Sequence, residues 1–224
     1  MTRGDWMGMF DIYQMIFWCV VYIECIRIGV RQRTYCMPLL AICMNFCWEA
    51  LSFVDCVIHV KESAFMYVHY GTWLLLDIGI ISTFVLYHKE EAQKFAKGLV
   101  RTLIERCFWG VLMLVVAVIL FMYFFIPTWK GYFAYADNLI MSALFIVMLY
   151  LRKGSRGQSM SIAVIKCMGT LCATMTMILN GSYDLFAMGI GCFVLDVAYI
   201  ILLYRTIQTE KAIVRLPKRK KSKA

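Results

Sequence analysis

Proline is almost missing and charge is scarce. The 224 residues hold 3 Pro, and Asp, Glu, Lys and Arg together make up 17% of them. A soluble domain carries about 25% charged and roughly 45–50% apolar residues. Here the apolar share is 62% and mean hydropathy is +0.72. A globule of this size cannot hide that much apolar surface. That excludes a soluble enzyme, a disordered chain and a secreted disulfide scaffold. The sequence also has no G-x-G-x-x-G, no P-loop, no Ser-His-Asp set and no D-x-D-D to gather magnesium around a diphosphate. His59, His69 and His88 fall at the edges of apolar runs, which argues against a histidine metal site inside a membrane. No Lys sits mid-way along the last run, which argues against a retinal Schiff base.

What is present is a series of long apolar runs, each near the ~20 residues that span a bilayer core. They cover about 10–30, 38–58, 68–87, 108–126, 134–151, 160–178 and 185–204. We expect an all-α polytopic membrane protein, a seven-helix bundle forming one domain over 1–224, with a basic tail at 205–224. A barrel would show shorter segments of alternating polarity. The longer connection, 88–107, has Phe95, Leu99, Leu103 and Ile104 at helical spacing among charges, as in an interfacial helix. The ten Cys lie mostly within apolar runs; Cys43 and Cys47, one turn apart, read as packing residues, and reduced thiols are expected.

The basic residues are sorted by connection. Arg3, Lys61 and Lys130 fall on one side and 19 Lys or Arg on the other, with Lys166 inside a span. The positive-inside rule then puts the N-terminus lumenal or outside and the C-terminus in the cytosol, which needs an odd number of spans. The net charge of +9 is a topology signal, and no nucleic-acid partner is expected. The first run has no basic flank before it and no cleavage site, so it reads as a span rather than a signal peptide. Asn180-Gly181-Ser182 is a glycosylation sequon close to the membrane.

Ionisable groups inside spans are costly and mark candidate sites. Glu49, Asp77 and Asp196 lie on three runs at about 13–16 Å from the ends at which their helices enter, at 1.5 Å per residue. Three carboxylates at one depth suggest a shared polar pocket. Desolvation and mutual repulsion would leave at least one of them protonated at neutral pH, and a neutral carboxylic acid in a dry cavity is a general acid. Glu24 and Arg27, three residues apart, read as an ion pair near the boundary; Asp55 and Asp137 read as solvated near the lumenal ends. Lys166 is expected to snorkel to the cytosolic face.

The neighbours of the three acids are polar and aromatic. Asn45 and Phe53 share a helix face with Glu49, and Trp48 adjoins it. Trp73 precedes Asp77 by one turn, and Phe193 and Tyr199 flank Asp196. Aromatic faces stabilise cations within about 6 Å, which suits a reaction begun by protonation. Intramembrane carboxylates also serve proton-coupled transporters, and a small seven-helix receptor would need no chemistry at all.

Asn45-x-x-Trp48-Glu49 resembles the motif of the membrane-integral terpene cyclases of fungal indole-diterpene and meroterpenoid pathways, the paspaline-type family. Trp73-x-x-x-Asp77, Asn138-x-x-x-Ser142, Arg156-Gly157-Gln158-Ser159, Lys166-x-x-Gly169-Thr170 and Asp196-x-x-Tyr199 follow in the family's order. The resemblance implies a small enzyme of isomerase or lyase type in the membrane, the endoplasmic reticulum if the cell is eukaryotic. It implies cyclisation of a prenylated aromatic or polyketide in secondary metabolism, after a prenyltransferase and a flavin monooxygenase have supplied a terminal epoxide. It places the two essential acids on Glu49 and Asp196 and leaves Asp77 as pocket support or a proton donor to them. Acid initiation calls for no metal or redox cofactor.

Overall fold

The computed structural model describes residues 3–58, 64–95 and 108–215. Within these the chain is all helix: α1 Arg3–Gln32, α2 Leu39–Ile58, α3 Ala64–Phe95, α4 Phe108–Phe125, α5 Trp129–Arg152, α6 Met160–Asn180 and α7 Tyr183–Arg215. Each of the seven expected runs falls on one helix. Six are long and apolar enough to cross a membrane; α4 is the shorter apolar one. His88 to Phe95 continue α3 without a break. The expected interfacial helix therefore does not begin there, and 96–107 lie outside the described residues, as does the tail beyond Arg215.

Local chemistry sets the ends of these helices. Ser159 caps α6 by accepting from the Ile162 N–H at 3.1 Å. Gly181 closes it in the left-handed conformation at φ 79°, sending its N–H to Ile178 O at 3.1 Å. α1 ends at Arg33, whose φ of 50° turns the chain, and the Thr34 N–H bonds back to Gly29 O at 3.0 Å. Burial in this connection pushes the Cys36 thiol up to about 12, so it stays neutral.

The helices do not pack in chain order. Neighbours follow the sequence α1–α3–α2–α5–α7–α6 and back to α1, a closed ring, with α4 against the outside of α2 and α5. The physical reason lies in side-chain composition. Each ring helix buries polar groups: Tyr22 on α1, Asn45 and Glu49 on α2, Asp77 on α3, Asp137 and Ser142 on α5, Lys166 on α6 and Asp196 on α7. None is tolerable against lipid, so those faces turn inward. α4 is apolar all round and needs no such shelter.

The end of the bundle that carries the α3 C-terminal half and the α5–α6 connection is locked by charge. The buried Glu91 carboxylate meets Arg156 at 3.0 Å and Arg152 at 3.8 Å. Arg152 also donates to Tyr35 O at 2.8 Å and lies 4.7 Å from the Tyr35 ring centroid. Gly157 sits among them at φ 70°, where an added Cβ would collide with Arg152 Nη1. Gly157→Ala is therefore expected to lose about 1–3 kcal/mol through left-handed strain and displacement of Arg152. A drop in the melting temperature of the detergent-solubilised protein would register it. On the surface of α1, Glu24 and Arg27 form the expected pair, 2.6 Å at the closest approach.

Candidate active site

A cavity of about 250 Å³ occupies the half of the ring in which α1, α3 and α5 begin and α2 and α6 end. Its walls come from five ring helices: α1, α2, α3, α5 and α6. None of the described residues of α4 or α7 lines it. Helical spacing explains the lining. On α1, Asp11, Gln14, Trp18 and Tyr22 recur every three or four residues and so share one face. On α3 His69 and Trp73 do the same, and on α5 Ala134, Asp137, Asn138 and Met141.

At the mouth, Lys130 Nζ pairs with Asp55 Oδ2 at 2.6 Å and lies 5.6 Å from the Tyr70 centroid. Trp48 is fixed across it by donating its indole N–H to Lys130 O at 3.0 Å. Below the mouth the wall is aromatic. Phe65, His69, Trp73 and Tyr22 follow one another with centroids 5.6, 4.0 and 6.4 Å apart. Trp48 closes on both Tyr70, at 5.5 Å, and Trp73, at 6.3 Å. Trp18 reaches Tyr22 edge-on at 5.8 Å. It can do so because Gly169 on α6 leaves space that a Cβ would take, 3.1 Å from the indole.

The acids lie at the floor. Glu49 is 1% exposed, and its Oε1 accepts from the Tyr22 hydroxyl at 3.4 Å. Tyr22 is oriented by Asn45, whose amide donates to its oxygen at 2.6 Å. The same amide spans both Asp77 oxygens at 3.0 and 2.9 Å. A chain of hydrogen bonds thus runs from Asp77 through Asn45 and Tyr22 to Glu49. Glu49 Oε2 and Asp137 Oδ1 have no hydrogen-bond partner among the described residues, and both side chains line the cavity. Asp137 is 4% exposed, against the expectation of a solvated lumenal position. It sits about two helical turns inside α5, which begins at Trp129, and faces the ring interior.

A second polar layer lies one turn deeper. Lys166 Nζ donates to Asp196 Oδ1 and Oδ2 at 2.8 and 3.1 Å and to Ser142 Oγ at 2.7 Å. Its side chain is wholly buried. The expectation that Lys166 snorkels outward is thus corrected: α6 turns it toward α5 and α7, where an acid and a hydroxyl satisfy it better than a long reach past apolar neighbours. The expected convergence of Glu49 with Asp196 in one chamber is corrected too. Asp196 is held by the Lys166 ammonium and does not line the cavity.

The other expected residues divide in the same way. Asn45, Trp48, Trp73 and Asn138 line the cavity, and Asn138 donates to Thr170 Oγ1 at 2.8 Å. Asp77 is buried behind Asn45. Ser142 belongs to the Lys166 layer, and Tyr199 donates to Gln158 Oε1 at 2.8 Å, far down the bundle. Phe53 packs on Gly71 between α2 and α3, and Phe193 is half-exposed on the outer side of α7. Neither lines the cavity: the Phe53 ring is taken up against α3 one turn past Glu49, and Phe193 goes with Asp196, which is itself outside the chamber. Tyr22, His69 and Asp137 were not anticipated as site residues. Their signal was spacing: His69, Trp73 and Asp77 fall at successive i+4 steps, as do Trp18 and Tyr22, and Asp137 adjoins Asn138.

Fold and site together define a polytopic membrane protein with a mostly apolar chamber between its helices, walled with aromatic rings and floored by acids. The chain belongs to the Pyr4-like transmembrane terpene cyclases, whose family model matches residues 5–210. It is 28% identical over 162 residues to the Pyr4-family terpene cyclase mfmH of Annulohypoxylon moriforme, covering 70% of this chain and 63% of that protein. It is 30% identical to the terpene cyclase pyr4 of Aspergillus fumigatus over 36% of this chain and 32% of that one. With the terpene cyclase ascF of Acremonium egyptiacum it shares 35% identity over 30% of this chain and 23% of that one. The chain thus spans less than two thirds of the length of these relatives. No solved structure matches it.

Proposed function

We propose that this chain is a membrane terpene cyclase that protonates the terminal epoxide, or alkene, of a prenylated aromatic or polyketide and folds the prenyl chain into rings. The observation that carries the reading is Glu49: a buried carboxyl group with one oxygen that has no partner among the described residues, facing a cavity walled by Trp48, Trp73, Tyr70 and Trp18. Tyr22 holds the other oxygen, so the free one presents its proton to the chamber. Protonation of the epoxide oxygen breaks a C–O bond as the nearest alkene attacks, and the positive charge moves along the chain as each ring closes. The aromatic faces stabilise that charge where water cannot reach it. Asp137 lines the same cavity, with one carboxyl oxygen that has no hydrogen-bond partner among the described residues. Asp77 and Asn45 orient Tyr22. Asp196 neutralises Lys166 beneath the floor and does not touch substrate.

The distribution of Lys and Arg supports seven spans, with the N-terminus and the cavity mouth lumenal and the C-terminus cytosolic. The endoplasmic reticulum is the expected membrane, with a prenyltransferase and a flavin monooxygenase upstream. The family membership supports a terpenoid substrate; its carbon skeleton is set by reactions outside this chain. The test is direct. Membranes containing the protein, incubated with a farnesyl phenol bearing a terminal epoxide, should form a cyclised product of unchanged mass that empty membranes do not. The geranylgeranyl homologue tests chain length. No cyclised product from either would overturn the reading.

A further inference from the structure

His69 stands apart from the hydrogen-bonded groups around it. The residue is 4% exposed, and neither ring nitrogen has a hydrogen-bond partner among the described residues. Burying an imidazole with both nitrogens unpaired carries a desolvation cost. Nothing in the packing of α3 requires it, since a phenylalanine would fill the same space beside Trp73, Tyr70 and Phe65. The ring lines the cavity, edge-on to Trp73 at 4.0 Å and stacked on Tyr70 at 5.1 Å. Such a group is completed by whatever occupies the chamber.

Its position says which part of the substrate that is. His69, Trp73 and Asp77 lie on successive turns of one α3 face, so His69 is about 12 Å up the helix from Asp77 at 1.5 Å per residue. That places it on the mouth side of the acid floor. A cation started at Glu49 therefore travels toward it past Trp73 and Trp48.

Resting on the cyclase reading, we propose that His69 is the base that ends the cyclisation. A neutral imidazole offers one bare nitrogen as a proton acceptor. That nitrogen takes the last proton, from the carbon beside the final cation to leave an alkene, or from a phenolic hydroxyl as its oxygen closes a ring ether. The imidazolium formed lies between the Trp73 and Tyr70 rings, which stabilise it. The protons balance: Glu49 gives one to the epoxide oxygen, which stays on the product as a hydroxyl, and His69 takes one. The product keeps the substrate's mass. After release, water entering the open mouth carries the proton from His69 back to Glu49.

The test compares His69→Phe, which keeps the ring stack and removes the base, with His69→Gln, which keeps polarity. Both are expressed in membranes and given the epoxidised farnesyl phenol. The epoxide should still be consumed, slowed within the ~100-fold lower bound for losing a general base. The single product of the unaltered protein should give way to alkene isomers and to alcohols heavier by one water. A purely structural role would change the amount of folded protein and leave the product pattern as it was. If either folded variant returns the original product alone, His69 is wall and the proposal fails. If both folded variants stop consuming epoxide, His69 acts at initiation or binding and the proposal fails as well. An unaltered protein that cyclises neither probe would instead bring down the cyclase reading on which this rests.

Discussion

Glu49→Gln yields a folded, membrane-inserted protein that makes no detectable cyclised product. The change keeps the shape of the side chain and an oxygen for the Tyr22 hydroxyl, which now donates at 3.4 Å. It removes the only thing that the free carboxyl oxygen has to offer, a transferable proton. General acid catalysis contributes roughly 10²–10⁴-fold in ordinary cases. Here the loss should sit at the upper end, because protonation creates the cation and nothing downstream begins without it. Stability should hold, since the amide keeps the shape of a carboxyl group that is itself neutral and leaves one polar atom facing the cavity as before. Product analysis alongside melting of the solubilised protein separates the two effects. Turnover near that of the unaltered chain would remove Glu49 from the mechanism.

The residues show where sequence reasoning reached and where it stopped. Seven apolar runs and the burial of Glu49 and Asp77 were legible, because length and hydrophobicity decide spans without knowledge of partners. The role of Arg156-Gly157-Gln158-Ser159 was not. In the structure Arg156 anchors Glu91, Gly157 makes room for Arg152, Gln158 accepts from Tyr199 and Ser159 caps α6. A run that reads as a motif is thus a structural knot. Equal depth did not bring Glu49 and Asp196 together, because depth fixes only the height of a side chain. Which acids meet depends on helix order and rotation, and the order α1–α3–α2–α5–α7–α6 is not the chain order. Lys166 was misplaced for the same reason. On a lone helix it lies within reach of the surface, and only the neighbours α5 and α7 supply Ser142 and Asp196 as better partners.

That pairing leads to the second large effect. Lys166→Met should cost about 3–5 kcal/mol, the usual penalty for removing one partner from a buried ion pair. Asp196 would be left at 1% exposure without its cation, and the yield of folded protein should collapse. Asp196→Asn should fail from the other direction by stranding the ammonium beside Ser142. Taken singly, either loss looks the same as loss of a catalytic acid. The double variant Lys166→Met with Asp196→Leu separates them. Replacing a buried pair by apolar side chains of similar size is often neutral or stabilising, so folding should return. Because neither residue lines the cavity, cyclisation should return with it, in contrast to Glu49→Gln, which stays folded and silent. A double variant that folds and melts normally yet makes no product would place Asp196 in direct contact with the reaction.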